Sequence, residues 1–134
     1  MNTTYFLNLV SGNVFGSQKT PAIPTKYYLG LSSAAPNLDG SGVVEPEEGT
    51  GYARVELTSL SAPLNGVVTN TAAIDFAEST AEWGTMTHFV IYDALTEGNL
   101  LMYGELSASR KVEAATIMTI KLGSLNLSVV NPST

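Results

Sequence analysis

Trp83-Gly84-Thr85-Met86-Thr87-His88-Phe89-Val90-Ile91-Tyr92-Asp93-Ala94 is the stretch that decides how this chain folds. Read at period two, Thr87, Phe89 and Ile91 fall on one side, and Met86, His88, Val90 and Tyr92 on the other. Both sides are apolar. An antiparallel strand ordinarily buries one face and wets the other, so a strand of this kind expects cover on both, one cover being another subunit. The same run holds the chain's single tryptophan and single histidine.

Working outward, Ala94-Leu95-Thr96-Glu97-Gly98-Asn99 is too long for a two-residue hairpin but fits a longer one with Gly98 or Asn99 left-handed and Asp93 starting the turn. Leu100 to Leu106 then returns as the partner strand. Further candidate strands are Lys26 to Ser32, Tyr52 to Thr58, Gly66 to Asn70, Ala73 to Phe76, Arg110 to Glu113, Thr116 to Leu122 and Leu125 to Val130. Two of them alternate clearly. Ala53, Val55 and Leu57 oppose Arg54 and Glu56, the mark of a half-exposed strand, and Met118, Ile120 and Leu122 oppose Thr119 and Lys121. Short strands punctuated by Gly, Pro and Asn predict a mainly β fold, an antiparallel β-sandwich of immunoglobulin-like or jelly-roll-like type. Ahead of them, Tyr5, Phe6, Leu9, Val10, Asn13 and Val14 recur at helical spacing, with Thr3 or Thr4 as N-cap and Gly16 as a stop. The whole chain, 1–134, reads as a single domain: an N-terminal helix and arm over 1–19, and a sandwich over 26–130.

Composition narrows the function. With no cysteine, disulfides, thiol nucleophiles and cysteine metal sites are excluded. Charged residues make up 13% of the chain, about half the roughly 25% usual for soluble domains, so the surface is largely neutral and polar. A net charge of −6 with Arg110-Lys111 as the only adjacent basic pair argues against nucleic acid. The N-terminal run lacks the basic start of a secretory signal, and no apolar run approaches the roughly 20 residues that span a bilayer, so neither export by such a signal nor membrane insertion is expected.

Candidate chemistry is sparse. His88 and Asp93 suggest a Ser-His-Asp arrangement, but five residues along a strand, about 17 Å, put them on opposite faces. A half-buried histidine bonded to backbone is the simpler reading. Glu45, Glu47 and Glu48 are the densest carboxylates, yet they share one loop, whereas a glycoside hydrolase needs groups flanking the sugar, and Glu56, Asp75, Glu78 and Glu82 offer no distinguished partner. In the same loop Asn37, Asp39, Ser41, the Val43 carbonyl, Glu45 and Glu48 fall at calcium-loop positions, with Gly42 at the turn. Asn in the first position, Pro46, and flanks of Pro36 and Gly49 instead of helices favour a solvated acidic loop, and no metal or other cofactor is assigned. Gly40-Ser41-Gly42 and Gly49-Thr50-Gly51 precede no helix and read as hinges, not phosphate cradles. Tyr27, Tyr28, Trp83, Tyr92 and Tyr103 are candidates for a glycan platform, although aromatic side chains in strands are more often core.

Several pieces occur in a telling order: Tyr28-Leu29-Gly30-Leu31-Ser32, Glu45-Pro46, Gly51-Tyr52-Ala53-Arg54, Asn70-Thr71-Ala72-Ala73-Ile74-Asp75-Phe76, Trp83-Gly84-Thr85-Met86-Thr87-His88-Phe89, Asp93-Ala94, Gly98-Asn99-Leu100-Leu101 and Tyr103-Gly104-Glu105-Leu106. In this order and spacing the chain resembles the small bacteriophage virion proteins called phage tail fibre proteins, from about Tyr5 to Val130. It departs from their pattern at Ala114-Ala115-Thr116, where a Gly-Asp turn is expected. The resemblance implies a non-enzymatic structural protein of the virion, shown on the particle surface as a symmetric oligomer, a trimer, in a tail fibre, head fibre or capsid decoration. Its partners would be copies of itself and other capsid or tail proteins. The alternative is a lectin-like adhesion module that contacts host or mucus glycans. Candidate subunit contacts are Tyr5, Phe6, Leu9 and Val10 on the helix and Met86, His88, Val90 and Tyr92 on the central strand.

Overall fold

Thr3 starts the first element: its hydroxyl accepts a hydrogen bond from the Phe6 amide, and α1 runs Thr4–Val14 in this computed structural model, which describes residues 1–17 and 21–130. The end of the expected 1–19 arm therefore lies outside the described residues. α1 closes at Phe15, whose amide and that of Gly16 both reach the Ser11 carbonyl. Phe6 and Leu9 pack on Leu101, so the helix docks on its own chain.

The strands are β1 (Tyr28–Ser32), β2 (Val55–Glu56), β3 (Val68–Thr69), β4 (Ile74–Asp75), β5 (Gly84–Tyr92), β6 (Leu100–Val112), β7 (Thr119–Ile120) and β8 (Asn126–Leu127). The expected mainly β, antiparallel architecture is present. A four-stranded sheet has the order β2-β1-β5-β6, and β3-β8 and β4-β7 form two short ribbons; the described strands form no closed barrel. The main core lies between the layers. Leu29, Leu31, Met86, Ile91 and Val112 from the sheet meet Phe76, Met118, Ile120 and Leu125. On the opposite face Val90, Tyr92, Leu100 and Tyr103 cluster with Val43. The decisive strand is thus covered on both faces, as its composition predicts, but by its own chain.

Two irregularities in β5–β6 reshape the sequence reading. Opposite β5, Met86 pairs with Arg110 and His88 with Glu105, so residues 106–109 of β6 arch out against Thr87 alone. The expected strands Leu100 to Leu106 and Arg110 to Glu113 are therefore one strand interrupted by a wide bulge. The same irregularity turns Met86 to the face of Ile91 and Leu29, away from the Val90 and Tyr92 cluster. A second shift, between Ile91 and Tyr92, leaves Leu101 unpaired with β5 and fully buried under α1.

The turns are sharply defined. The Asp93 carboxylate accepts from the Asn99 backbone amide at 2.8 Å and its side-chain amide at 3.1 Å, and both Glu97 and Gly98 have positive φ. Asn65-Gly66, both with positive φ, close a tight hairpin between Leu64 and Val67, so Gly66 belongs to a turn and not to the strand expected from Gly66. Leu122, expected on the buried side with Met118 and Ile120, falls beyond β7 in a turn and is exposed.

Candidate functional site

Arg54 sits at the centre of the most elaborate polar arrangement among the described residues. The alternation of β2 and its approach assigns it outward, yet it is buried. The reason lies nine residues upstream. Glu45 receives Arg54 Nη2 at 2.7 Å on Oε1 and Nε at 3.0 Å on Oε2, a forked pair, and also the Tyr52 hydroxyl at 2.5 Å. The remaining guanidinium nitrogen, Nη1, donates to the Ala94 carbonyl at 2.8 Å and the Glu97 carbonyl at 2.7 Å. The guanidinium carbon lies 3.6 Å from the centroid of the Tyr92 ring. One side chain thus fastens the 33–54 loop to the β5–β6 turn and to the sheet face.

Electrostatics follow from this packing. Burial pushes the Glu45 carboxyl up, but the Arg54 and Tyr52 hydrogen bonds and the Arg54 charge outweigh it and hold the group below its ordinary value. Burial, reinforced by the bond to Glu45, pushes the Tyr52 hydroxyl far up. Burial and the Glu45 charge likewise raise the Tyr92 phenol. The charged forms of Glu45 and Arg54 and the neutral tyrosines are therefore the stable set. Beside them a cleft of about 330 Å³ opens, lined by Pro46, Glu47, Glu48, Ala53, Leu95 and Thr96 as well as the cluster itself.

Of the residues at calcium-loop positions, Glu45 is engaged by Arg54 and Tyr52. Asn37, Asp39 and Ser41 bond instead among themselves: Asp39 accepts from the Ser41 amide at 2.9 Å and hydroxyl at 2.6 Å, and Asn37 donates to Ser41 at 3.1 Å. Among the described residues no group of three or more acidic or histidine side chains is placed to hold a metal. Val43 packs its side chain on the β5–β6 face, and Glu48 is exposed on the cleft wall.

The central strand contributes architecture. His88 is half-buried, and its Nδ1 lies 2.8 Å from the Thr87 hydroxyl, a side-chain partner in place of the expected backbone one, while Asp93 is engaged with Asn99. Trp83 is buried and donates to the Thr50 carbonyl at 2.8 Å, with its ring edge-on to Tyr52 at 5.3 Å. With Trp83, Tyr92 and Tyr103 buried and Tyr27 and Tyr28 half-buried, these residues form no open aromatic platform.

The candidate subunit contacts divide between residues packed within the chain and residues that keep surface. Met86 turns into the main core, Val90 and Tyr92 lie under Val43 and Arg54, and Phe6 and Leu9 lie on Leu101. Tyr5, Val10 and His88 retain surface. Larger exposed apolar side chains stand elsewhere, Phe15 above all at 89%.

Arg54 itself escapes the sequence reading because period-two alternation is blind to a distant counter-charge. A signal was nonetheless present: Glu45-Pro46 and Gly51-Tyr52-Ala53-Arg54 are two of the ordered pieces, and the structure joins them into one ion pair. That junction gives the ordered motifs a physical meaning, and the family model described as podophage GP4 fiber I protein gp80 matches residues 2–128. The chain belongs to this family. It is a fibre-type component of a podophage virion. No curated protein matches it. Among the described residues no helix is long and apolar enough to cross a membrane.

Proposed function

We propose that this fibre-family chain is a non-enzymatic display element, assembled on the particle as a symmetric trimer in a tail fibre, head fibre or capsid decoration, with the loops fastened by Arg54 facing outward. The observation that carries the assembly is an apolar groove of about 330 Å³ beside α1, walled by Phe6, Tyr27, Leu60, Met102, Leu127 and Val129. Phe15 and Val14 extend apolar surface from the end of the same helix. A monomer gains nothing from exposing that much hydrocarbon, whereas a ring of identical contacts covers it in every copy. Capsid or tail proteins of the virion are the further partners of this reading.

Light scattering of the purified 14.1 kDa chain at micromolar concentration tests it. A trimer is expected, and Val129→Asp at the groove rim should lower the mass without unfolding the chain. A wild-type protein that stays monomeric overturns the assembly.

A second reading, a lectin-like contact with host or mucus carbohydrate, draws support from a basic groove on the side of the domain that carries the β6 bulge.

A further inference from the structure

The arch of residues 106–109 leaves a hollow between β6 and β7. Two adjoining clefts, of about 90 and 220 Å³, share Arg110, Met118, Thr119 and Lys121 as walls, so they form one groove across the sheet edge. The smaller cleft has Phe89, Ile120 and Leu125 among its apolar walls, and Ser107 and Ser124 add hydroxyls. Arg110 and Lys121 are exposed, and among the described residues neither has a carboxylate within ion-pair distance, unlike Lys26, Arg54 and Lys111. In a chain with six basic and twelve acidic side chains, two uncompensated cations on one groove are unusual. Thr119 is held by Asp75, to which its hydroxyl donates at 2.5 Å, so that wall is fixed.

We propose that this groove binds a saccharide carrying an anionic group, a uronate carboxylate or a sugar phosphate, with Arg110 and Lys121 holding the charge. Each part of such a ligand has a counterpart. The guanidinium offers paired donors to a carboxylate or phosphate, and the ammonium adds a movable charge. Phe89 and its aliphatic neighbours match the hydrocarbon face of a sugar ring, and the serines match its hydroxyls. Glu105, on the wall of the smaller cleft, repels the anion and accepts from sugar hydroxyls, so the charged group lies by Arg110 and Lys121 on the side of the larger cleft, which Glu105 does not line. The site rests on the carbohydrate reading above and names its ligand class. It also differs from the aromatic platform considered from sequence, because cations replace the tyrosines.

The test is calorimetric titration of the whole chain with three oligosaccharides of equal length: uronate-containing, phosphorylated and neutral. Arg110→Gln/Lys121→Gln is compared with wild type and with Lys26→Gln as a remote control. The expected result is binding of at least one acidic oligosaccharide, weakened at least about tenfold by the double substitution, unaffected at Lys26, and falling between about 50 and 200 mM salt. The uronate and phosphate arms identify which anion is preferred. Acidic binding that the double variant retains, or neutral binding alone that is equal in both proteins, overturns this site and leaves the carbohydrate reading standing. No binding of any of the three at millimolar concentration overturns both. Unchanged melting temperatures keep a loss of binding from being read as unfolding.

Discussion

Gly30 faces the Tyr52 hydroxyl so closely that a β-carbon on residue 30 would lie 2.6 Å from it, and 3.1 Å from Glu45 Oε2. The Tyr52 ring cannot retreat freely, because it packs on Trp83 and Phe76 and its oxygen also receives the Leu31 amide at 3.1 Å. Gly30→Ala should therefore destabilise the chain by about 1–3 kcal/mol, the usual range for overpacking. Urea unfolding measures this; an unchanged midpoint would show that the Tyr52 and Glu45 contact is slack.

Arg54→Met keeps the packing on Tyr92 but strands the Glu45 carboxylate and leaves the Ala94 and Glu97 carbonyls without their donor. Breaking one side of such a pair should cost about 3 kcal/mol. Arg54→Met combined with Glu45→Gln should recover part of that loss. Chemical denaturation of the three variants forms the comparison, and strictly additive effects would show that the two side chains act independently.

Glu45 gives acid sensitivity a defined direction. Its native value is depressed below the unfolded one, so its contribution is fully present above the unfolded value, about 4.3, and is lost as pH falls through the native value. Melting temperature should therefore drop more steeply below about pH 4.3 in the wild type than in Glu45→Gln. Parallel curves would remove Glu45 from the acid response.

Ala115 has φ of 60°, a left-handed conformation uncommon for alanine, in the turn where the sequence departs from its family pattern. Ser79 holds that turn: its carbonyl accepts from the Ala115 amide at 2.7 Å, and its hydroxyl bonds to Glu113 and Thr116. Replacement by glycine relieves the strain and should raise stability by about 0.5–1 kcal/mol after the added unfolded-state entropy. A lower melting temperature for Ala115→Gly would contradict this.

Val90→Asp, which the sequence suggests as a probe of subunit contact, becomes a probe of folding. Val90 is fully buried with Tyr92, Leu100 and Tyr103, and an unpaired carboxylate there should cost about 4 kcal/mol or more. Circular dichroism should show loss of the native fold; a folded variant would mean that this face can open.

What was legible in the sequence was local. Thr3 as cap, the Asp93 turn with Gly98 left-handed, and the burial of Met118 and Ile120 all depend on neighbours within a few residues. What was hidden depended on partners far along the chain. Arg54 looked solvated until Glu45 and the carbonyls of Ala94 and Glu97 met it. Met86 looked level with Val90 because nothing in β5 announces that its partner strand arches out at 106–109. The same arch creates the groove of Arg110 and Lys121, which spacing alone separates by eleven positions.

The Asn2 side chain donates to the carbonyls of Ser128 and Val130, both at 2.9 Å, while the Thr3 amide and the Met1 carbonyl pair with β6. Tension applied between residue 1 and residue 130 would load these few bonds first. Met1 and Thr3 hand that force to β6, the outermost strand of the four-stranded sheet, so a pull on the termini is resisted by the sheet through its edge.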